Sequence, residues 1–237
     1  MPFENTIDTL GDDIAFGQIV DGSVSEFFDD VITSIGISVF AYCPSLTTAS
    51  FPACTIINNY AFQYCFSLTS VSFPVCTSIG NYAFQNCSGL TSVSFPSCTS
   101  IGNNAFQGCY SLTTASFPAC RSIGNYAFQN CRSLTTISFP VCTSIGNAAF
   151  MNCSSLTTAS FPVCTYIATY AFTSCSGLTT IIFGNESSVA TAGTGILVGA
   201  ADSAIIYVPD ALVSNYKVAD NWSAYASRIK GISELPA

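Results

Sequence analysis

Apolar residues recur along most of the chain at a fixed interval of eleven residues. In each interval a cysteine is followed by an aliphatic residue three positions later and by a phenylalanine eight positions later, as at Cys87, Leu90 and Phe95. Alternate cysteines follow Phe-Pro-Xaa or Ala-Phe-Xaa-Xaa, so the full repeat is twenty-two residues. This period predicts a solenoid of about seven coils over residues 34–183, with the apolar positions facing a shared interior.

One segment of each coil has the pattern of a β-strand. In residues 90–95 the first, fourth and sixth positions are apolar, so Ser92 and Ser94 are expected to point outward. Parallel strands stacked roughly 4.8 Å apart would place equivalent residues in two hydroxyl rows on a flat or gently curved sheet. The predicted ligand-binding residues of this sheet are Ser92, Ser94, Thr114, Ser116, Thr136, Ser138, Thr158 and Ser160.

Proline and glycine mark the ends of these segments. A proline such as Pro96 follows the strand, where its missing N–H ends the ladder. In the return segment the glycine of Ile-Gly-Asn, for example Gly80, predicts a tight turn that a Cβ atom would obstruct.

The units at residues 78–87 and 90–96 resemble the BspA-type leucine-rich repeat. The resemblance covers residues 34–183 and implies a leucine-rich-repeat solenoid with a parallel β-sheet on one face. Residues 206–213 and 221–223 are similar to the cap that closes such arrays in gut bacteria and their phages, which implies a small α/β C-terminal cap over residues 184–237. The family resembles surface adhesins and virion-associated proteins, and it implies binding instead of catalysis.

The C-terminal residues predict a strand ending at Val208, a turn and two short helices. Pro209 suits a helix start, and Asn221 is a candidate cap for the second helix. An aromatic cluster is expected to pack over the last coil, with a carbohydrate platform as the alternative. Its members are Tyr216, Trp222 and Tyr225.

Charge is nearly absent from the repeats. Between Asp30 and Glu186 the only charged residues are Arg121 and Arg132, which excludes electrostatic binding of nucleic acid because that needs clustered Lys and Arg. The two arginines are eleven residues apart and are expected on the same turn-side of neighbouring coils. They are either a contact for an anionic ligand group or solvated surface substitutions.

The first thirty residues hold eight acids and no base, which accounts for the net charge of −8. Residues 1–33 are interpreted as an acidic N-terminal cap over the first coil or as a segment that docks to other virion or surface-assembly proteins. A calcium site at Asp12, Asp13 or Asp21 lacks the alternating acid pattern of calcium loops.

No targeting signal is recognised. Residues 1–10 lack a basic n-region, and no apolar run approaches the length of a membrane span. The sequence therefore predicts no membrane span and no export by the general pathway. The expected location is a virion or the cell surface, reached without a classical signal peptide after cytoplasmic synthesis.

The thirteen cysteines are expected to be reduced and buried. Equivalent cysteines in adjacent coils would be close enough for disulfides, but their side chains would run parallel instead of converging. The chain has no histidine and no closely spaced cysteine pair, so metal binding and thiolate catalysis are disfavoured. No paired carboxylates occur in the repeats, and the protein is predicted to be non-enzymatic and without a cofactor.

Three functions remain open from the sequence. The favoured one is recognition of a bacterial surface glycan or protein by the Thr/Ser strand face, with the Tyr and Asn columns beside it. This is the role expected of a phage or prophage tail-fibre or receptor-binding component. The alternative is a structural spacer or assembly subunit that contacts partners through its termini. Ice or crystal binding by the hydroxyl rows is disfavoured because serine lacks the methyl group of threonine.

Overall fold

Short parallel strands, stacked coil on coil, build the protein. The computed structural model describes residues 26–28 and 30–236. Within these ranges the strands, numbered in chain order, are β1 (Glu26–Phe28), β2 (Ser34–Ile35), β3 (Thr48–Ser50), β4 (Ile56–Ile57), β5 (Ser70–Ser72), β6 (Ser78–Ile79), β7 (Ser92–Ser94), β8 (Ser100–Ile101), β9 (Thr114–Ser116), β10 (Ser122–Ile123), β11 (Thr136–Ser138), β12 (Ser144–Ile145), β13 (Thr158–Phe161), β14 (Tyr166–Ile167), β15 (Thr180–Phe183), β16 (Thr191–Ala192), β17 (Ile205–Val208) and β18 (Ile229–Gly231). The C-terminal part adds helix α1 (Val213–Val218) and 3-10 helices at Asp210–Leu212, Ser223–Arg228 and Ile232–Glu234.

Each regular coil contributes one strand to each of two faces. The longer strands form the parallel sheets β1-β3-β5 and β7-β9-β11-β13-β15-β17-β18, whose outward side we call the strand face. The even-numbered strands from β2 to β16, each two residues long, form an eight-stranded parallel sheet that we call the return face. Thr136 pairs with Thr114 and Thr158, one repeat away on either side. The predicted leucine-rich-repeat solenoid is confirmed at a spacing of about 22 residues, with about nine turns instead of the predicted seven.

Phenylalanine columns fill the interior of the coils. Neighbouring rings are 4.9–5.3 Å apart in the column from Phe40 to Phe172 and 5.4–6.1 Å apart in the column from Phe51 to Phe183. Rings of the same column are stacked, whereas rings of the two different columns are inclined to each other. Leu90, Val93 and Phe95 are buried, whereas Ser92 and Ser94 are exposed, which confirms the predicted alternation. Burying each phenyl ring contributes about 1.5–3 kcal/mol relative to leaving it exposed.

The cysteines lie in the same interior and nearly all donate to nearby backbone carbonyls. In the column from Cys65 to Cys175 each thiol donates to the phenylalanine carbonyl 25 residues earlier, as Cys109 does to Phe84 at 3.2 Å. In the other column each thiol donates to the carbonyl two residues later, as Cys98 does to Ser100 at 3.2 Å. A thiol is a small apolar group with a weak hydrogen-bond donor, so it can be buried in the interior and still donate to a backbone carbonyl. All thirteen are buried free thiols, so the predicted burial is confirmed.

The backbone of the preceding coil leaves little room for a Cβ atom at most glycines of the return segment, although Asn58 and Ala168 carry one at the same position of their coils. A Cβ atom at Gly124 would lie 2.6 Å from the carbonyl carbon of Gly102 and 2.7 Å from the nitrogen of Asn103. Gly124 does not have a positive φ, and left-handed backbone occurs two residues later, at Tyr126 (φ 57°). The obstruction predicted for these glycines is therefore real, but the obstacle is the backbone of the preceding coil and not the turn itself.

The ladders continue through residues 184–231. Tyr166 pairs with Thr191 and Thr180 pairs with Ile205, a spacing of 25 residues instead of 22. A bend at residues 186–188 accompanies the longer coil. Strand β18, which the sequence did not predict, adds a last rung beside β17.

Aromatic residues close the C-terminal end as predicted. Trp222 is buried, packs edge-to-face on Phe183 at 5.4 Å and donates from Nε1 to the carbonyl of Ala190 at 2.6 Å. The N–H of Ala190 donates to the hydroxyl of Tyr216, which is also buried. The N–H of Leu197 donates to the hydroxyl of Tyr225 at 3.2 Å. These contacts confirm packing over the last coil.

One capping prediction is wrong. Pro209 directly precedes a 3-10 helix, as predicted, but Asn221 does not cap the next one, whose N-cap residue is Trp222. Asn221 has a left-handed backbone, and its amide donates to the carbonyl of Ala192 at 2.8 Å. The side chain therefore ties the cap to the last coil.

Most of the acidic segment lies outside the described residues, including the candidate calcium residues Asp12, Asp13 and Asp21. Strand β1 pairs in parallel with β3, and Ile32 joins the buried core. Along residues 26–28 and 30–236 we find no helix with the length and hydropathy to cross a membrane.

Replacing Gly124 by alanine should destabilise the fold by about 1–3 kcal/mol, because the added Cβ atom overpacks two backbones. A urea unfolding series measures the change. The matched control is Gly36→Ala in the same column, where, among the described residues, the new Cβ atom would meet a Val39 methyl group at 3.1 Å. Equal effects of the two substitutions would contradict the close-approach argument.

Alkaline pH should destabilise the protein. Burial raises the pKa of Cys98 and Cys142 to about 11 and that of Cys76 to about 12, from an ordinary value of 9.0. Above pH 9 the unfolded chain releases protons that these folded thiols retain. The free energy of unfolding should therefore be highest below pH 9. For each such thiol it should fall by roughly 1.4 kcal/mol per pH unit until the pH reaches the folded pKa of about 11 or 12. Urea midpoints measured in reductant test this.

The control for the pH series is Cys98→Ala. Because this variant lacks one thiol with a raised pKa, its free energy of unfolding should fall less steeply with pH, by the contribution of that one thiol. A midpoint that stays constant up to pH 11 would show that the thiols ionise equally in both states.

Candidate functional site

The strand face brings the eight predicted hydroxyl residues together. A hollow of ≈ 590 Å³ runs across strands β5 to β13. The predicted residues that line it are Ser92, Ser94, Thr114, Ser116, Thr136, Ser138, Thr158 and Ser160. The lining is completed by Ser70, Val71, Val93, Ala115 and Ile137. Every outward side chain is an uncharged hydroxyl, so the hollow offers a row of donors and acceptors over an apolar floor.

The hydroxyls in the hollow are available to a ligand. Thr114, Ser116, Thr136 and Ser138 are exposed. Within the described part of the chain, no side-chain hydrogen bond engages any of the eight predicted residues. The neighbouring row differs, because Thr135 donates from Oγ1 to the carbonyl of Thr113 at 3.5 Å and its equivalents do the same from coil to coil. That row holds the coils together, while the hollow has unused hydrogen-bonding capacity.

The two arginines of the array have different surroundings. Arg121 precedes β10 of the return face, and its carbonyl accepts from the N–H and the Oγ1 of Thr143 at 2.9 and 3.2 Å. Arg132 lies before β11 of the strand face, with Cζ 5.4 Å from the ring centroid of Tyr110. The two arginines therefore do not lie on the same turn-side of neighbouring coils, contrary to the prediction from the sequence. That either arginine holds an anionic ligand group stays a prediction.

A column of tyrosines, which the sequence analysis placed beside the strand face without naming its residues as a site, lies in the turn after each short strand. Its positions have left-handed backbone, with φ between 49° at Ala148 and 62° at Tyr170. The column comprises Tyr60, Tyr82, Asn104, Tyr126, Ala148 and Tyr170. Tyr60 and Tyr82 stack at 4.9 Å with their planes 4° apart. The residues at this position vary, so a search for invariant positions passes over them.

The described residues show neither a metal-ligand cluster nor an activated thiol. Over residues 30–236, Cys, Asp and Glu side chains form no group of three or more that could hold a metal ion. Burial raises the pKa of the Cys109 and Cys131 thiols above the ordinary range. A nucleophilic cysteine needs the opposite shift, toward the thiolate.

Comparison with solved structures shows the same fold in other bacterial proteins. The T. pallidum leucine-rich repeat protein aligns with a TM-score of 0.55 and 24% identity, covering 87% of this chain and 85% of its own. A leucine-rich repeat protein from Bacteroides ovatus aligns with a TM-score of 0.51 and 22% identity over 88% of this chain. This chain spans 66% of the length of the B. ovatus protein. The pneumococcal vaccine antigen PcpA aligns at 0.50 with 14% identity, over 88% of this chain and 66% of PcpA.

Sequence comparison identifies the repeat type. No curated protein sequence matches the chain. The BspA type leucine rich repeat region, in six copies, matches residues 23–120 and 99–210, which is well over half of the chain. The protein therefore belongs to the BspA type leucine-rich repeat family.

Proposed function

We propose that this protein is a non-enzymatic recognition module that binds a bacterial surface glycan or protein through its strand face. The observation that carries the proposal is the hollow of ≈ 590 Å³, lined by uncharged hydroxyls that have no partners among the described residues. Repeated hydroxyls suit a polar, repetitive ligand. The near absence of charge in the repeats avoids repulsion between the strand face and an anionic cell wall.

The fold neighbours support a surface location. PcpA is a pneumococcal vaccine antigen with the same fold, and antigens of that use are exposed to the outside. The finer part of the proposal is a place on a phage or prophage virion, as a tail-fibre or receptor-binding component. On this proposal the protein is found in purified virions or in the cell-surface fraction.

A charge placed in the hollow should abolish binding without unfolding the protein. Thr136 is exposed at the centre of the strand face, so Thr136→Glu keeps the core intact but buries a carboxylate under any bound ligand. We expect at least a tenfold loss of saturable binding by the fluorescently labelled protein to gut bacterial cells and purified wall polysaccharides.

The matched control is Thr165→Glu on the return face. Its row already contains Arg121, so a long charged side chain fits there. Binding should survive this substitution. Equal loss in both variants would mean a general charge effect, and no binding by the unsubstituted protein would favour the structural spacer that contacts partners through its termini.

A further inference from the structure

Arg132 lies in the turn that leads into β11, at the edge of the strand face. It precedes Thr136, which lines the hollow, by four residues, so the two Cα atoms are at most about 14 Å apart. The N–H of Arg132 donates to the carbonyl of Asn130 at 2.9 Å, and its carbonyl accepts from the N–H of Ser155 at 3.2 Å. The side chain therefore leaves a fixed turn close to the hollow.

An exposed tyrosine of the preceding coil holds the guanidinium. Cζ of Arg132 lies 5.4 Å from the ring centroid of Tyr110, and both residues are exposed. A cation within about 6 Å of an aromatic ring centroid is attracted by the negative face of the ring. Serine is the residue at the same position of other coils, as at Ser88 and Ser154. Two adjacent coils thus replace serine by an aromatic ring and by the cation that stacks on it.

The positive charge of Arg132 has no acidic partner in the array. The sequence has no Asp or Glu between Asp30 and Glu186. Over residues 26–28 and 30–236, the guanidinium forms neither an ion pair nor a hydrogen bond. A guanidinium presents five N–H donors in a planar fork that matches the oxygens of a carboxylate or a phosphate. Arg132 therefore has unused capacity to bind an anion beside the hollow.

The hollow suits sugars better than an extended peptide. Its outward groups are hydroxyls, which donate and accept hydrogen bonds as sugar hydroxyls do. An extended peptide binds by adding a strand to an exposed sheet edge. Strand β11 offers no such edge, because β9 and β13 pair with it on either side. A ligand that combines many hydroxyls with an anionic group is an acidic polysaccharide.

We propose that Arg132, held on Tyr110, binds the acidic group of an anionic polysaccharide whose neutral groups lie in the hollow. The acidic group is a carboxylate or a phosphate, since the guanidinium fork matches both. This inference rests on the proposed function, because it names the ligand class of the same strand-face site. Arg132 is then the residue that distinguishes acidic from neutral polymers.

Pairs of polymers that differ in charge test the proposal. Polygalacturonate, alginate and hyaluronan, each beside its own methyl ester, present a carboxylate, and glycerol teichoic acid beside dextran presents a phosphate. Thermophoresis of the fluorescently labelled protein measures each Kd. At about 0.15 M salt, screening over about 8 Å weakens the repulsion between the net charge of −8 and an acidic polymer. We expect at least one acidic polymer to bind about tenfold tighter than its neutral partner, because charge-assisted hydrogen bonds are added.

Removing each arginine in turn locates the preference for acidic polymers. Arg132→Ser restores the serine found in other coils, and its affinity for the acidic polymer should fall to that for the neutral partner. The matched control is Arg121→Thr, which removes the same charge from the return face and restores the threonine of its row. This control should keep the preference. Equal loss in the two variants would mean a general charge effect and would overturn the proposal.

The aromatic ring has its own test. Tyr110→Ser should weaken the preference for acidic polymers by about two- to fivefold, because the guanidinium loses the ring that holds it. Phe66→Ser removes an exposed ring at the same position two coils earlier and should leave the preference unchanged. Equal effects of the two substitutions would contradict the role of Tyr110.

The strand-face variant separates failure of this inference from failure of the proposed function. Thr136→Glu should lose acidic and neutral polymers alike, whereas Arg132→Ser should still bind the neutral ones. Equal binding of acidic and neutral polymers by the unsubstituted protein would overturn this inference and leave the proposed function standing. Binding to bacterial cells without binding to any of these polymers would do the same. Binding to neither cells nor polymers would overturn both.

Discussion

The hydrogen bonds between successive coils constrain everything else in this structure. The N–H of Phe84 donates to the carbonyl of Ala105 at 2.7 Å, and equivalent bonds recur along the array. Because the coils are in register, the nearest neighbour of a residue is its own equivalent in the next coil. Each position must therefore carry a side chain that packs well on a copy of itself. Phenyl rings, thiols, amides and hydroxyls meet this condition, whereas like charges repel one another.

This self-stacking explains the composition as well as the fold. Glutamine bonds to glutamine, asparagine Oδ1 accepts the N–H of the asparagine in the next coil, and threonine Oγ1 donates to a threonine carbonyl. Charged residues placed at every rung would oppose each other at about 4.8 Å. The array tolerates single arginines, as at Arg132, where the neighbouring rung is the ring of Tyr110.

The interior was predictable from the sequence because periodicity reports burial directly. The period gave the inward residues Leu90, Val93 and Phe95 and the outward row that lines the hollow. The coil after residue 184 was not recognised, because its spacing of 25 residues breaks the period and its residues differ from the repeat. Asn221 was misassigned because a residue before a helix suggests a cap, while the carbonyl of Ala192 on the last coil competes for the same amide. The hollow on the strand face extends over five coils, so no single repeat encodes it.

Side chains that point outward can be substituted at little cost in folding free energy. Ligand specificity can therefore reside in the surface residues of individual coils. Arg121 replaces a threonine of its row, yet its carbonyl still accepts two hydrogen bonds from Thr143, because the bond between coils needs only the backbone of the acceptor residue. A substitution at such a position changes the ligand surface of one coil and leaves the ladder intact. The same reasoning applies at Asn104 and Ala148, where the backbone keeps its left-handed turn although the ring is missing. An interruption in the pattern of one column is thus a local change of surface on an unchanged scaffold.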